Sequence, residues 1–256
     1  MRRTSIVVLA ALTVVGVYLF AQDVAEEMPD DHQSTLTPEE YQNGAKREAD
    51  TMTRMEPRLT RELAALDLEL GAPVFVRIFK ETRQMEIFLQ KKETKKYVYY
   101  KTWDIAAMSG NLGPKLAEGD RQSPEGFYFV PPRMMKPDSR FHLAYNIGFP
   151  NDYDRSHGRT GSFIMVHGNE VSIGCFAMTD NSMEEIYTLC RAAQINGQEF
   201  FRVHSFPFRM TPERMAAAAD HQWYDFWQNL KEGYDYFEKN KTPPNVKVVG
   251  KRYVFE

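Results

Sequence analysis

Cys175 and His167 are the residues whose types and spacing could do chemistry. They sit in the stretch Val166-His167-Gly168-Asn169-Glu170-Val171-Ser172-Ile173-Gly174-Cys175. A thiol nucleophile needs a base to take its proton, donors for an oxyanion, and access for substrate. His167 ends an apolar strand and Cys175 begins the approach to a helix, so a short loop could bring the two side chains together. Gly174 permits tight backbone before the cysteine, which would leave amide N–H groups facing an oxyanion. A helix starting soon after Cys175 would favour the thiolate. Ser172 and Asn169 could orient the base or hold the loop. A lone cysteine and histidine are also common as structural residues, so the residue types alone leave both roles open. A zinc site over His167, Cys175 and His204 is a poorer reading, because these residues lack close ligand spacing. The sequence implies no metal or organic cofactor.

The second cysteine, Cys190, lies in a helical pattern over 182–193 with Met183, Ile186 and Leu189 on one face. That face reads as core, with Cys190 as a small hydrophobe and Cys175 unpaired. No Cys-x-x-Cys pair supports thiol redox chemistry.

The elements that must position this pair follow from the hydrophobic period. Val74, Val76 and Ile78 alternate with Phe75, Arg77 and Phe79, and further strands are expected over 85–89, 97–105, 127–130, 162–166 and 200–205. The segment 131–161, rich in Pro, Asn, Asp and Gly, is long for a plain connection and reads as a functional loop or flap. Within it, Tyr145, Arg159, His142 and His157 are candidate substrate contacts. Upstream, Thr37-Pro38-Glu39-Glu40 starts a helix with Met52, Met55, Leu59, Leu63, Leu66 and Leu70 on one face. Pro57 should kink or split that helix, and Gly71 should stop it. Downstream, Trp223, Phe226, Trp227, Leu230, Tyr234 and Phe237 form an aromatic stripe that reads as packing rather than a sugar-binding face. A final hairpin is expected around Gly250-Lys251.

A net charge of −3 on 256 residues gives no basis for nucleic-acid binding. Arg2 and Arg3 precede an apolar run over 6–20, then Ala21, Gln22 and Asp23. This pattern matches an export signal, either a cleaved signal peptide or an uncleaved N-terminal anchor. The rest of the chain is therefore expected outside the cytoplasmic membrane, in the periplasm. The expected plan is a signal or anchor over 1–22, a linker and helical segment over 23–72, a catalytic domain over 73–205, and a helical extension with a hairpin over 206–256.

His167-Gly168 followed by Ser172-Ile173-Gly174-Cys175 resembles the signature of the YkuD-type L,D-transpeptidases, His-Gly, a spacer, then Ser/Thr-His-Gly-Cys. Ser123-Pro124-Glu125-Gly126-Phe127-Tyr128 is similar to the family's Thr/Ser-Pro-x-Gly-x-Phe segment. The resemblance covers about 73–205 and implies an α+β, β-rich fold, with Cys175 as nucleophile and His167 as general base. The spacer is shorter than in typical members, Ile173 replaces a second histidine, and Ala177 replaces an Asn or Arg. Further segments, among them 109–115, 136–140, 146–151 and 207–211, resemble the YafK branch of that family. That branch implies a peptidoglycan amidase that detaches Braun's lipoprotein from the wall, with cross-link formation as the alternative. The partner implied is peptidoglycan, with wall-attached lipoprotein in the amidase case and with the membrane reached only through an N-terminal anchor. A wall-binding protein without chemistry is the reading from another class, and an intact His167 and Cys175 argue against it.

Overall fold

Near-continuous apolar runs give the first two strands two usable faces, and both are covered. The computed structural model describes residues 43–256 together with Glu39. The expected signal or anchor, the linker over 23–36 and the helix start at Thr37 lie outside the described residues. Helix α1 (Gly44–Ala64) precedes a hairpin pair, β1 (Val74–Phe79) and β2 (Gln84–Gln90), and then β3 (Tyr97–Asp104). With β4 (Gly126–Val130) and β9 (Phe201–Phe206) these strands form a five-stranded sheet in the order β3-β2-β1-β9-β4. The β1/β9 pair is parallel and the other three are antiparallel.

The segment 131–161 is not the open loop the composition suggests. It holds a 3-10 turn (Pro132–Met134), β5 (Met135–Lys136), β6 (Ala144–Asn146) and helix α2 (Asp152–Ser156). Asn151 caps α2 in a capping box with Asp154, which fixes that turn locally. Strands β5 and β6 join β7 (Met165–His167) and β8 (Phe176–Ala177) in a four-stranded sheet. Helix α3 (Asp180–Ile195) follows, capped by the Thr179 side chain.

The main core lies between the two sheets and under α1 and α3. Val76, Ile87, Tyr128 and Val203 of the large sheet meet Tyr145, Val166 and Phe176 of the small one, with Leu59, Leu63, Met183 and Cys190 closing the sides. Helix α1 continues through Pro57, so the expected split does not occur, and it ends at Ala64, before Gly71. Its apolar face is buried at Leu59 and Leu63, while Leu66 is exposed.

The other face of the large sheet is covered by helix α4 (Pro212–Ala216), helix α5 (Tyr224–Asn240) and the hairpin β10 (Val246–Val249)/β11 (Arg252–Phe255). The aromatic stripe is packing, as its period implies, with Phe226, Trp227, Leu230 and Phe237 buried. A buried ion pair ties this layer together. Lys80 and Glu125, both fully enclosed, meet at 3.0 Å, and the Trp227 indole donates to the second Glu125 oxygen at 2.8 Å. Among the described residues, no helix is long and apolar enough to cross a membrane.

Candidate active site

The small sheet places Cys175 and His167 by register. His167 pairs with Ala144 across β6/β7 and with Ala177 across β7/β8. Tyr145, Val166 and Phe176 point into the main core. The alternate residues, His167, Met165 and Ala144, therefore point to the opposite face. Extending the β7/β8 register by one residue sets Cys175 beside Met165, and the Met165 N–H donates to Cys175 Sγ at 3.3 Å. Ala144, Met165 and Cys175 form a small cluster of their own on that face. His167 and Cys175 are thus diagonal neighbours on one face of the parallel β7/β8 pair.

The histidine is oriented from two sides. Its Nδ1–H donates to the Gly168 carbonyl at 2.5 Å, which leaves Nε2 as the basic nitrogen. The Phe141 ring lies over the imidazole at 4.7 Å between centroids. Behind it, Asp180 Oδ1 accepts from the Asn169 N–H at 2.7 Å, and a Cβ on Gly168 would lie 2.5 Å from the same oxygen. Glycine is therefore required at 168 by close approach, while Asn169 takes the left-handed turn at φ 59°.

The cysteine backbone is also held. Its carbonyl accepts the Ser172 hydroxyl at 2.7 Å and the buried Ser123 hydroxyl at 3.3 Å. Gly174 has φ 102°, a conformation other residues resist, so the turn into Cys175 depends on it. Ala107 and Ala177 exchange backbone hydrogen bonds at 2.8 and 3.2 Å and fix the strand just beyond. Ser172 therefore serves the loop rather than the imidazole. Ser123 was visible in the sequence only as part of the Ser-Pro-Glu-Gly segment, and its role here needs the fold.

Cys175 as a residue is 7% exposed, and its S–H faces the Phe163 carbonyl at 3.5 Å. Burial pushes its pKa up to about 11, offset in part by the Met165 N–H and by the Lys115 ammonium. This corrects the expected helix effect. Helix α3 begins at Asp180, after β8, and the groups that favour the thiolate are Met165 and Lys115. Cys190 is buried and unpaired in the main core, as its helical position implies.

The loop candidates fall elsewhere. Tyr145 is fully buried, its hydroxyl 4.0 Å from Met85 Sδ, so it packs the core and cannot contact substrate. Arg159 is also buried, bonded to Asp154 at 2.7 Å and lying over the Tyr153 and Phe226 rings. Both expectations fail because a segment rich in turn residues is folded into the core rather than exposed. His157 stacks on Tyr153 at 4.2 Å. His142 bonds Glu184 at 3.0 Å, beside the Gly168 turn. His204 lies behind the large sheet between Phe75 and Phe127, on the far side from His167 and Cys175, so the three do not form a metal site.

The sequence pattern of the L,D-transpeptidase catalytic domain, YkuD, matches residues 73–196. The protein named "Putative L,D-transpeptidase YafK" from Escherichia coli strain K12 is 46% identical over 185 residues, 72% of this chain and 74% of that protein. Its counterpart in Escherichia coli O157:H7 matches equally. Among solved structures, the helical cell shape determining protein Pgp2 (K307A mutant) of Campylobacter jejuni aligns with TM-score 0.44 at 18% identity, covering 78% of this chain and 67% of that one. Bd1075 of Bdellovibrio bacteriovorus aligns with TM-score 0.40 at 16% identity, covering 70% and 78%. By the pattern match and the YafK identity, the chain belongs to the YkuD L,D-transpeptidase family.

Proposed function

We propose that this chain is a periplasmic cysteine enzyme of the cell wall that acts on peptidoglycan stem peptides at the L-centre of meso-diaminopimelate. Its principal reaction is amide hydrolysis that releases wall-attached lipoprotein. The observation that carries this reading is the placement of Cys175 and His167 on one face of the small sheet, with the imidazole oriented through Nδ1.

His167 Nε2 takes the thiol proton as the sulfur attacks the carbonyl. A sulfur held neutral by burial needs such a base close by, because little thiolate exists at neutral pH. The backbone N–H groups at the Gly174 turn are the candidate donors to the oxyanion. The imidazolium then gives its proton to the departing amine, the side chain of the lipoprotein's terminal lysine. The C–N bond breaks and a thioester to Cys175 remains. Water, deprotonated by the same imidazole, hydrolyses it and restores the thiol.

Transfer to a second amine is the competing outcome, and the name of the YafK relatives favours it. Hydrolysis is preferred because Ile173, 39% exposed, presents an apolar side chain where typical members carry a second histidine, and Ala177 replaces a polar residue. Mass spectrometry of muropeptides after incubation of lipoprotein-bearing wall with the protein is the test. Loss of lipoprotein remnants from diaminopimelate is expected, and Cys175→Ala should abolish it. New diaminopimelate-to-diaminopimelate links would establish transfer instead, and activity persisting in the alanine variant would overturn the mechanism.

A further inference from the structure

A cleft of about 270 Å³ opens behind the large sheet, between β4, β9 and the β10/β11 hairpin. Alternation sets its position. Tyr128, Val130 and Val203 face the main core, so Phe127, Phe129, Arg202 and His204 face the other way. Cys175 lies beyond that core, on the outer face of the small sheet. Two sheets therefore separate the cleft from the thiol, and packed sheets alone are about 10 Å apart.

Three features of this cleft are not explained by packing. Phe129 is 52% exposed, and with Phe200 it forms a tilted ring pair at 5.5 Å on the open side. Arg202 lies over the Phe200 ring at 5.0 Å and donates to Asn245 Oδ1 at 2.7 Å. Among the described residues it has no carboxylate partner within ion-pair distance, although burial disfavours its charge enough to lower its pKa. The acid at the rim, Asp152, is bonded to Arg155 instead. His204, on the cleft floor, is 1% exposed and neither ring nitrogen has a partner. Desolvated polar groups normally have partners, and a partly buried guanidinium presents two parallel N–H donors suited to a carboxylate. Lys247, paired with Glu256, adds a second cation at the rim.

We propose that this cleft is a second wall-binding site that takes a carboxylate-bearing amino-sugar peptide, with Arg202 on the carboxylate and Phe129 and Phe200 against the apolar face of the sugar ring. The inference rests on the wall-substrate reading above. Binding here would hold one part of the polymer while another part reaches Cys175, raising the effective concentration of substrate on intact wall.

The probe is N-acetylmuramyl-L-alanyl-D-glutamate, which has the ring and two free carboxylates but no diaminopimelate bond to cleave. Calorimetric titration of the unmodified protein should show saturable binding. Arg202→Met should weaken it at least tenfold, and Phe129→Ala, at an exposed position that leaves folding intact, several-fold. A peptide with both carboxylates amidated, and an N-acetylglucosamine oligosaccharide, should bind at least tenfold more weakly. Both variants should keep the unmodified rate on a soluble diaminopimelate peptide and lose rate on intact wall. No binding of the acid, equal binding by both variants, or equal binding of the amidated peptide would overturn the proposal. None of these outcomes involves turnover at Cys175, so they leave the proposed reaction standing. Loss of that reaction would in turn leave the titration interpretable.

Discussion

Cys175 is held in place by several hydrogen bonds, and its environment opposes ionisation. Two hydroxyls, from Ser123 and Ser172, fix its carbonyl, and the Met165 N–H fixes its sulfur. Burial nevertheless raises the thiol pKa to about 11, with the Lys115 charge acting in the opposite direction. Lys115 is itself buried, and is anchored by Asp120 at 2.6 Å and the Ala117 carbonyl at 2.9 Å. Alkylation by iodoacetamide, followed by intact mass, should therefore be slow at neutral pH and should climb until the pH reaches about 11. Lys115→Met removes a charge that favours the thiolate, so its rate profile should move to still higher pH. A profile unchanged by that substitution would show that the ammonium does not act on the sulfur. Cys190, enclosed in the main core, should remain unmodified in the folded protein throughout.

Helix α1 lies outside the stretch 73–196 that carries the family pattern, yet it supports the site. Arg47 donates to the carbonyls of Pro137, Ser139 and His142 at 2.8, 3.2 and 2.6 Å, and a Cβ on Gly44 would lie 2.6 Å from the Asp138 nitrogen. The segment so held includes Phe141, whose ring covers His167. Arg54 extends the support, bonding Glu184, which also bonds His142. Each such hydrogen bond contributes about 1 kcal/mol, or somewhat more from a charged donor. Arg47→Leu should therefore lower kcat about tenfold, with a smaller change in KM, because the imidazole loses its cover rather than the substrate a contact. Arg47→Lys should recover part of the rate. A variant with a lower melting temperature but unchanged kcat would reduce Arg47 to a stability role. This support was not legible in the sequence, where α1 read only as a helix with one apolar face. The long strands were legible because six or more residues of alternation leave little ambiguity. Strands β5, β6 and β8, two or three residues each, have no period to read. Tyr145 and Arg159 were misplaced for the same reason, since short elements hid the fact that their segment is buried. That His167 and Cys175 come to one face of the small sheet was legible because both flank one short loop.

The layer behind the large sheet bears on the stability of the whole chain. Lys80, fully enclosed, is stabilised by Glu125, which also accepts from the Gly113 N–H at 2.6 Å and from the Trp227 indole. Burial lowers the Lys80 pKa, and the Glu125 charge opposes that. Removing one partner of such a pair leaves a buried charge unmatched and costs about 3–5 kcal/mol. Glu125→Ala should therefore lower the urea midpoint sharply, and a loss under about 1 kcal/mol would mean that Lys80 discharges without strain. His204 gives a second, pH-dependent contribution. Its ring is enclosed by Phe75, Phe127 and Phe206, and it has no hydrogen-bond partner. Burial, with Arg202 and Arg77 nearby, holds its pKa well below the ordinary 6.5. The unfolded chain therefore binds this proton at a higher pH than the folded chain does. The sign follows directly: stability is unaffected by His204 above about pH 7 and falls as the pH drops through 6.5 toward the lower folded value. One proton costs about 1.4 kcal/mol per pH unit between 6.5 and the folded value. Urea titrations of the unmodified protein and His204→Leu between neutral pH and about pH 5 should show the former losing that much more stability. Parallel curves for the two would mean that the imidazole finds a partner on protonation, most directly by the hairpin β10/β11 yielding and admitting water to the cleft floor.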